Sequence, residues 1–129
     1  MDEVRVLVVE GDLRSRRALV RLVDAMTGYR VVAESAEPCE AARLARQHAP
    51  AVALVDLDTP GGLSGLSLTR ELTALGISVV AMSSVAHSRH PSALAGASAF
   101  HDKGGAAATL PEALAKVASE HARGDRPAS

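Results

Sequence analysis

The sequence predicts one α/β domain, built on a doubly wound parallel β-sheet that helices cover on both faces. Its 129 residues are enough for a single domain with a buried core. Short valine-rich apolar runs alternate with segments of helical spacing along the chain. Continuous apolar runs are typical of parallel strands that are buried on both faces. Repeated alternation of this kind favours an α/β fold whose crossovers are right-handed.

Five segments are predicted to be strands. The strongest are Val6 to Val9, Val52 to Val55 and Ile77 to Met82, which are almost uninterrupted apolar runs. Two weaker candidates are Tyr29 to Ala33 and Ala97 to Phe100. Together they supply the strand half of the alternation.

The segments between the strands have helical spacing. The first helix has an apolar face at positions i, i+3, i+4 and i+7, formed by Leu19, Leu22, Val23 and Met26. Its other face is basic and is expected to be solvated, with Arg14, Arg16, Arg17 and Arg21. An alanine-rich helix follows Pro38, and a leucine-rich helix stops at Gly76. A short helix from Pro91 to Ala95 would end at Gly96, and a last helix would begin near Thr109.

The composition narrows the classes of function. The net charge of −1 predicts no strong sequence-independent attraction to DNA or to membranes. An aromatic content of 2% argues against a stacking platform for single-stranded nucleic acid. The single cysteine, Cys39, excludes an internal disulfide and a cysteine-rich zinc site. Because the apolar stretches are too short for a membrane span or a signal sequence, we expect a cytoplasmic location.

The last seven residues differ in composition from the rest of the chain. Residues 123–129 contain Gly, Pro and Ser, as frayed ends and linkers commonly do. We therefore expect a domain at residues 1–122, followed by a flexible tail or the start of a linker.

A functional site is expected at the carboxyl ends of the strands, because ligands of open α/β sheets bind in the crevice there. The residues at these ends are Glu10, Gly11 and Asp12, then Asp56 and Asp58, then Ser83 and Ser84, and finally His101, Asp102 and Lys103. Grouped carboxylates suggest a hard cation such as Mg²⁺, while a lysine and a hydroxyl suit phosphoryl oxygens. An aspartate in this setting can act as a nucleophile and form an acyl phosphate. Any one of these residues alone is more often a cap or a solvated loop residue, but their combination favours a function.

The order and spacing of these residues resemble the receiver domains of bacterial two-component response regulators. The resemblance covers Arg5 to about Ala118 and is carried by RVLVVEGD, ALVDLDTPGG, VVAMSS and GASAFHDKGG. It implies a phosphoacceptor at Asp56, loop residues Pro60 and Gly65, switch residues Ser83 and Phe100, and a phosphate-binding Lys103. The lysine followed by two glycines resembles regulators that carry a LuxR-type output domain.

The resemblance also implies a fold, a cofactor and partners. The fold would be CheY-like, with strand order 2-1-3-4-5. Mg²⁺ would be held by Glu10, Asp56 and the backbone carbonyl of Asp58, with Asp12 as a further candidate whose favoured role is capping the first helix. The partner would be a histidine kinase or a phosphotransfer protein, and the domain itself would not be an enzyme.

Phosphorylation would change one surface of such a domain. Movement of Ser83 toward the phosphate would let Phe100 turn inward and repack the face of the fourth helix, fifth strand and fifth helix. The same face is a candidate homodimer surface. DNA binding would belong to another domain of a longer chain, not to this one.

Several departures from the family pattern bear on function. Gly11 stands where a second carboxylate of the acidic pair is expected, which predicts weakened or absent Mg²⁺ binding. Asp58 adds a charge two residues after Asp56 and would either help to hold a metal or repel an incoming phosphate. His101 and Asp102 are polar where the fifth strand should be apolar, and the fourth helix should be small or irregular because its segment is short.

Of three alternative functions, the sequence favours one and argues against the other two. The departures favour a pseudo-receiver that signals by protein–protein binding without phosphorylation. The string DLDT at residues 56–59 resembles haloacid-dehalogenase-like phosphatases, but its threonine comes one residue early and only 73 residues follow Asp56. A flavodoxin-like cofactor binder would need a Ser/Thr/Gly-rich phosphate loop, which GDLRSRR after the first strand is not.

Overall fold

Strands and helices alternate strictly along the part of the chain that the computed structural model describes, which is residues 3–58, 64–84, 89–105 and 109–124. The strands are β1 (Val4–Val9), β2 (Tyr29–Ser35), β3 (Val52–Asp56), β4 (Ser78–Ser83) and β5 (Ala99–Asp102). The helices are α1 (Leu13–Asp24), α2 (Pro38–His48), α3 (Ser64–Ala74), α4 (Arg89–Leu94) and α5 (Thr109–Ala122). The predicted alternation is confirmed.

The strands form one parallel sheet in the order β2-β1-β3-β4-β5. This confirms the doubly wound, CheY-like topology. The strand order reverses at β1, whose neighbours are β2 on one side and β3 on the other. Ligand crevices of open α/β sheets lie at such a reversal, outside the carboxyl ends of the strands.

The continuous apolar runs are explained by burial on both faces of the sheet. In β1, Val6 and Val8 belong to a core cluster that also contains residues of α1 and α5. Leu7 and Val9 belong to a second cluster, on the opposite face, with residues of α2 and α3. Since all four side chains are almost fully buried, neither face of this strand offers a place for a polar residue.

Helices α2, α3 and α4 each end at a residue with left-handed backbone. Gly76 has φ +84° after α3, and the N–H of Ile77 donates to the carbonyl of Leu72 at 3.1 Å, as in a glycine-terminated helix. Gly96 has φ +103° after α4, and a Cβ there would lie 2.8 Å from Thr73 Oγ1. Ala49 ends α2 in the same left-handed conformation, with φ 46° and ψ 58°. This conformation is energetically unfavourable for alanine.

The fifth strand lies two residues later than predicted. It begins at Ala99 and includes His101 and Asp102, because these residues pair with Met82 and Ser83 of β4. His101 is buried, with its Nδ1 3.3 Å from the hydroxyl of Thr109. Parallel pairing needs only backbone groups, so the polar side chains did not prevent strand formation.

The helix between β4 and β5 is as short as predicted. It comprises six residues, Arg89–Leu94. None of the helices in the described ranges is long and apolar enough to cross a membrane.

Candidate functional site

The carboxyl ends of four strands bring the predicted site residues together. Glu10 follows β1, Asp56 ends β3, Ser83 ends β4 and Lys103 follows β5. The N–H of Lys103 donates to the carbonyl of Ser83 at 2.9 Å, so the last two strands remain joined up to the site. A cleft of about 660 Å³ opens beside these residues and is also lined by Asp12.

Lys103 is the cation that joins the carboxylates. Its Nζ lies 3.3 Å from Asp56 Oδ1, 3.5 Å from Glu10 Oε2 and 3.9 Å from Asp58 Oδ2. Asp56 is 3% exposed and Glu10 2% exposed, whereas the Lys103 side chain retains 30%. Burial alone would lower the pKa of Lys103, but the charges of Asp56 and Glu10 outweigh it, and the pKa is raised. The ammonium is therefore held in its charged form beside the buried carboxylates.

Glu10 is the carboxyl group whose ionisation is most perturbed. Burial, together with a hydrogen bond to Asp56 and the charge of Asp56, raises the pKa of Glu10 from 4.5 to about 7. The N–H of Asp12 donates to Glu10 Oε1 at 3.2 Å, and the Arg16 guanidinium donates to the backbone carbonyl of Glu10 at 3.0 Å. The Asp12 N–H and the Arg16 guanidinium thus hold Glu10 in place. Because its pKa is raised, the Glu10 carboxyl can carry a proton near neutral pH.

Asp58 directs its carboxylate toward the end of β4. Its Oδ1 accepts a hydrogen bond from Ser83 Oγ at 2.6 Å, and its Oδ2 accepts two from Ser84, from the N–H and from Oγ, both at 2.8 Å. Burial would raise the pKa of Asp58, but these hydrogen bonds and Lys103 hold it below 3.8. Its backbone N–H also donates to Asp56 Oδ1 at 2.9 Å.

Asp12 caps helix α1. Its Oδ2 accepts a hydrogen bond from the N–H of Ser15 at 2.8 Å, which is the geometry of an N-cap. This contact lowers the pKa of Asp12. The favoured structural role is therefore observed, while a role of Asp12 as a metal ligand stays a prediction.

The donors at this cleft fit Mg²⁺ only weakly. Within the described ranges, no group of three or more His, Cys, Asp or Glu side chains is placed to hold a metal ion. Glu10 and Asp56 could supply two carboxylates, and the Asp58 carbonyl a neutral oxygen. A Mg²⁺ ion on such a set would retain several water ligands. At Gly11 a Cβ would meet only the carbonyl oxygen of Ala36, at 3.9 Å, so a carboxylate there is sterically allowed.

Of the remaining predicted residues, Phe100 and Gly65 lie within the described ranges. Phe100 is half-buried on the α3 face of the sheet, and the Arg89 guanidinium lies 4.8 Å above its ring. At Gly65 an added Cβ would lie 3.1 Å from Leu57 Cα and 3.3 Å from the carbonyl oxygen of Asp56. The glycine thus lets α3 approach the end of β3 closely. Pro60 lies outside the described residues.

Two contacts of the site were not predicted. Arg16 was expected to be solvated, but it binds the backbone of Glu10 and pairs with Glu34 at 3.1 Å. The link from Asp58 to Ser84 was also missed, because it follows from the register of β3 and β4, which the sequence alone does not give. Asp56 pairs with Met82 in parallel strands, so two residues further along each chain Asp58 meets Ser84.

Comparisons with known proteins agree with the fold. Residues 6–115 match the response regulator receiver domain. Response regulator GacA of Pseudomonas viridiflava is 32% identical over 118 residues, which cover 88% of this chain and 55% of that protein. The chain therefore spans about half the length of this relative.

Solved structures share the architecture. A LuxR-family two-component response regulator from Aurantimonas sp. SI85-9A1 superposes with a TM-score of 0.85 at 27% identity, covering 99% of this chain and 91% of that chain. The response regulator domain of Thermotoga maritima CheB gives a TM-score of 0.76 at 23% identity, over 93% and 97% of the two chains. The resemblance found in the sequence is confirmed. The chain belongs to the response regulator receiver domain family.

Proposed function

We propose that this receiver domain accepts a phosphoryl group on Asp56 from the phosphohistidine of a partner histidine kinase or phosphotransfer protein. The observation that carries the proposal is the pairing of a buried carboxylate with a cation. Asp56 ends the central strand β3 at 3% exposure, and Lys103 Nζ lies 3.3 Å from its Oδ1. An acyl phosphate formed there would arise beside an ammonium group that is already in position.

In the proposed step, a carboxylate oxygen of Asp56 attacks phosphorus while the phosphorus–nitrogen bond of the donor breaks. The bonding electron pair stays on the histidine nitrogen, and the phosphoryl group becomes bonded to the carboxylate oxygen of Asp56. Lys103 and the hydroxyl of Ser83 would donate to the phosphoryl oxygens. Mg²⁺, when bound by Glu10, Asp56 and the Asp58 carbonyl, would supply further neutralisation of charge.

Output would use the surface near Phe100. Displacement of Ser83 toward the phosphoryl group would let the half-buried Phe100 ring turn inward and change the face formed by α4, β5 and α5. We propose this face as the surface for a homodimer or another partner. The similarity to a LuxR-family response regulator suggests that this domain controls transcription as part of a longer chain. The domain would then act in the cytoplasm.

Incubation with acetyl phosphate and analysis of the intact mass tests the proposal. The wild-type protein should gain the mass of one phosphoryl group, and Asp56→Asn should not. The gain should fall when Mg²⁺ is removed by a chelator. A wild-type protein that gains no mass, or an Asp56→Asn variant that gains it equally, would contradict the proposal.

A pseudo-receiver is the second candidate, and two observations favour it. Gly11 removes a metal carboxylate, while the carboxylate of Asp58 already holds the Ser83 hydroxyl at 2.6 Å. Such a domain would signal by binding a partner in its unmodified state. Binding of that partner with equal affinity by wild type and Asp56→Asn would support this candidate.

A further inference from the structure

We propose that Asp58 is an internal anion that holds Ser83 and Lys103 in the place of a phosphoryl group and thereby opposes phosphoryl transfer to Asp56. The inference rests on the proposed function, since it concerns regulation of the same site. Asp58 is a positioning residue in this account, because it acts through Ser83 and Lys103 and forms no bond to phosphorus.

The contacts of Asp58 are those that a phosphoryl group would need. Ser83 Oγ donates to Asp58 Oδ1 at 2.6 Å, and Lys103 Nζ lies 3.9 Å from Oδ2. These are the hydroxyl and the ammonium assigned above to the phosphoryl oxygens. Ser84 adds an N–H and a hydroxyl, both at 2.8 Å from Oδ2. A carboxylate with this many donors satisfies the local demand for an anion.

The backbone keeps the Asp58 carboxylate in this position. Its N–H donates to Asp56 Oδ1 at 2.9 Å, which ties the residue to the acceptor side chain. The pairing of β3 with β4 then brings Asp58 opposite Ser83 and Ser84.

A phosphoryl group on Asp56 would have to displace this carboxylate. Ser83 is fully buried, whereas the Asp58 side chain is 24% exposed and has solvent into which it can move. Displacement breaks the charge-assisted hydrogen bond to Ser83, and two anions must then share Lys103. Removing the negative charge of Asp58 should therefore raise the rate of phosphorylation of Asp56 by about tenfold.

The first experiment compares the rates at which acetyl phosphate modifies wild type, Asp58→Asn and Glu37→Gln. Glu37 lines the same cleft and its substitution removes the same charge. We expect about a tenfold higher rate for Asp58→Asn and an unchanged rate for Glu37→Gln. Asp58→Ala, which also removes the acceptor atoms, should behave like Asp58→Asn and serves if the latter folds poorly by circular dichroism. If wild type reacts with acetyl phosphate and both Asp58 variants react no faster than wild type, the inference is overturned. An equal increase in the rate of Glu37→Gln would also overturn it.

The second experiment needs no phosphoryl transfer. In Asp56→Asn protein, inorganic phosphate is titrated with and without Asp58→Asn, and binding is followed by NMR at Ser83 and Lys103. We expect about tenfold tighter binding when Asp58 is also replaced. If wild type and Asp58→Asn both resist acetyl phosphate, the proposed function fails, and this titration alone decides the inference. Equal phosphate affinities of the Asp56→Asn protein with and without Asp58→Asn would overturn the inference.

Discussion

Replacement of Glu10 by glutamine should make the stability of the domain less dependent on pH. Below pH 4.5 the Glu10 carboxyl is protonated in both the folded and the unfolded chain. Between pH 4.5 and about 7 the unfolded chain releases this proton while the folded chain retains it, because burial and Asp56 raise the pKa of Glu10 to about 7. The free energy of unfolding therefore falls as the pH rises through this window.

The size of the effect follows from the pKa difference. Raising a pKa from 4.5 to about 7 corresponds to at most about 3 kcal/mol of unfolding free energy. Glu10 borders a cleft that is open to water, and solvent screening reduces the cost of its charge to about 1–2 kcal/mol. Glutamine keeps the shape of the side chain and cannot ionise.

Urea denaturation at pH 5 and pH 8, at constant ionic strength, measures this difference. Relative to wild type, Glu10→Gln should gain about 1–2 kcal/mol of unfolding free energy between the two pH values. Glu40→Gln, at an exposed position of α2, is the control and should show no such gain. An equal effect of Glu10→Gln at pH 5 and pH 8 would refute the reasoning.

Four further predictions follow from the same structure. Gly11→Asp should raise Mg²⁺ affinity about tenfold in calorimetric titration, because only the carbonyl oxygen of Ala36 lies near the new Cβ, at 3.9 Å; equal affinities would remove the basis for a metal-deficient site. Ala49→Gly should raise the free energy of unfolding by about 1 kcal/mol, since φ is 46° there, and a variant no more stable in urea would count against this strain. Gly65→Ala should lower that free energy by about 1–3 kcal/mol, because its Cβ would lie 3.1 Å from Leu57 Cα; an unchanged urea midpoint would show that α3 can move. Aryl phosphate should not be turned over, and sustained release of phenol would instead favour a phosphatase.

Much of the fold could be predicted because the central strands are buried on both faces. Val6 to Val9 form a continuous apolar run, which predicts a strand, because the side chains on both faces of β1 pack against helices. Burial says less about the edge of the sheet. There His101 and Asp102 enter β5 through backbone pairing with β4, which the polarity of their side chains concealed.

The site was predictable as a set of residues but not as a set of contacts. Asp56 and Lys103 were placed at one edge by topology, and the structure puts them 3.3 Å apart. The orientation of Asp58 toward Ser83 depends on β3–β4 register, and the pairing of Arg16 with Glu34 joins α1 to β2. Such distant contacts leave no periodic signal in a single sequence.

The central claim is that Asp56, and not the neighbouring Asp58, receives the phosphoryl group. Borohydride reduces an acyl phosphate of aspartate to homoserine, so reduction of protein treated with acetyl phosphate marks the modified position in a peptide map. The account predicts homoserine at position 56 in the wild type and at a higher level in Asp58→Asn. Homoserine at position 58, or at neither position, would contradict it.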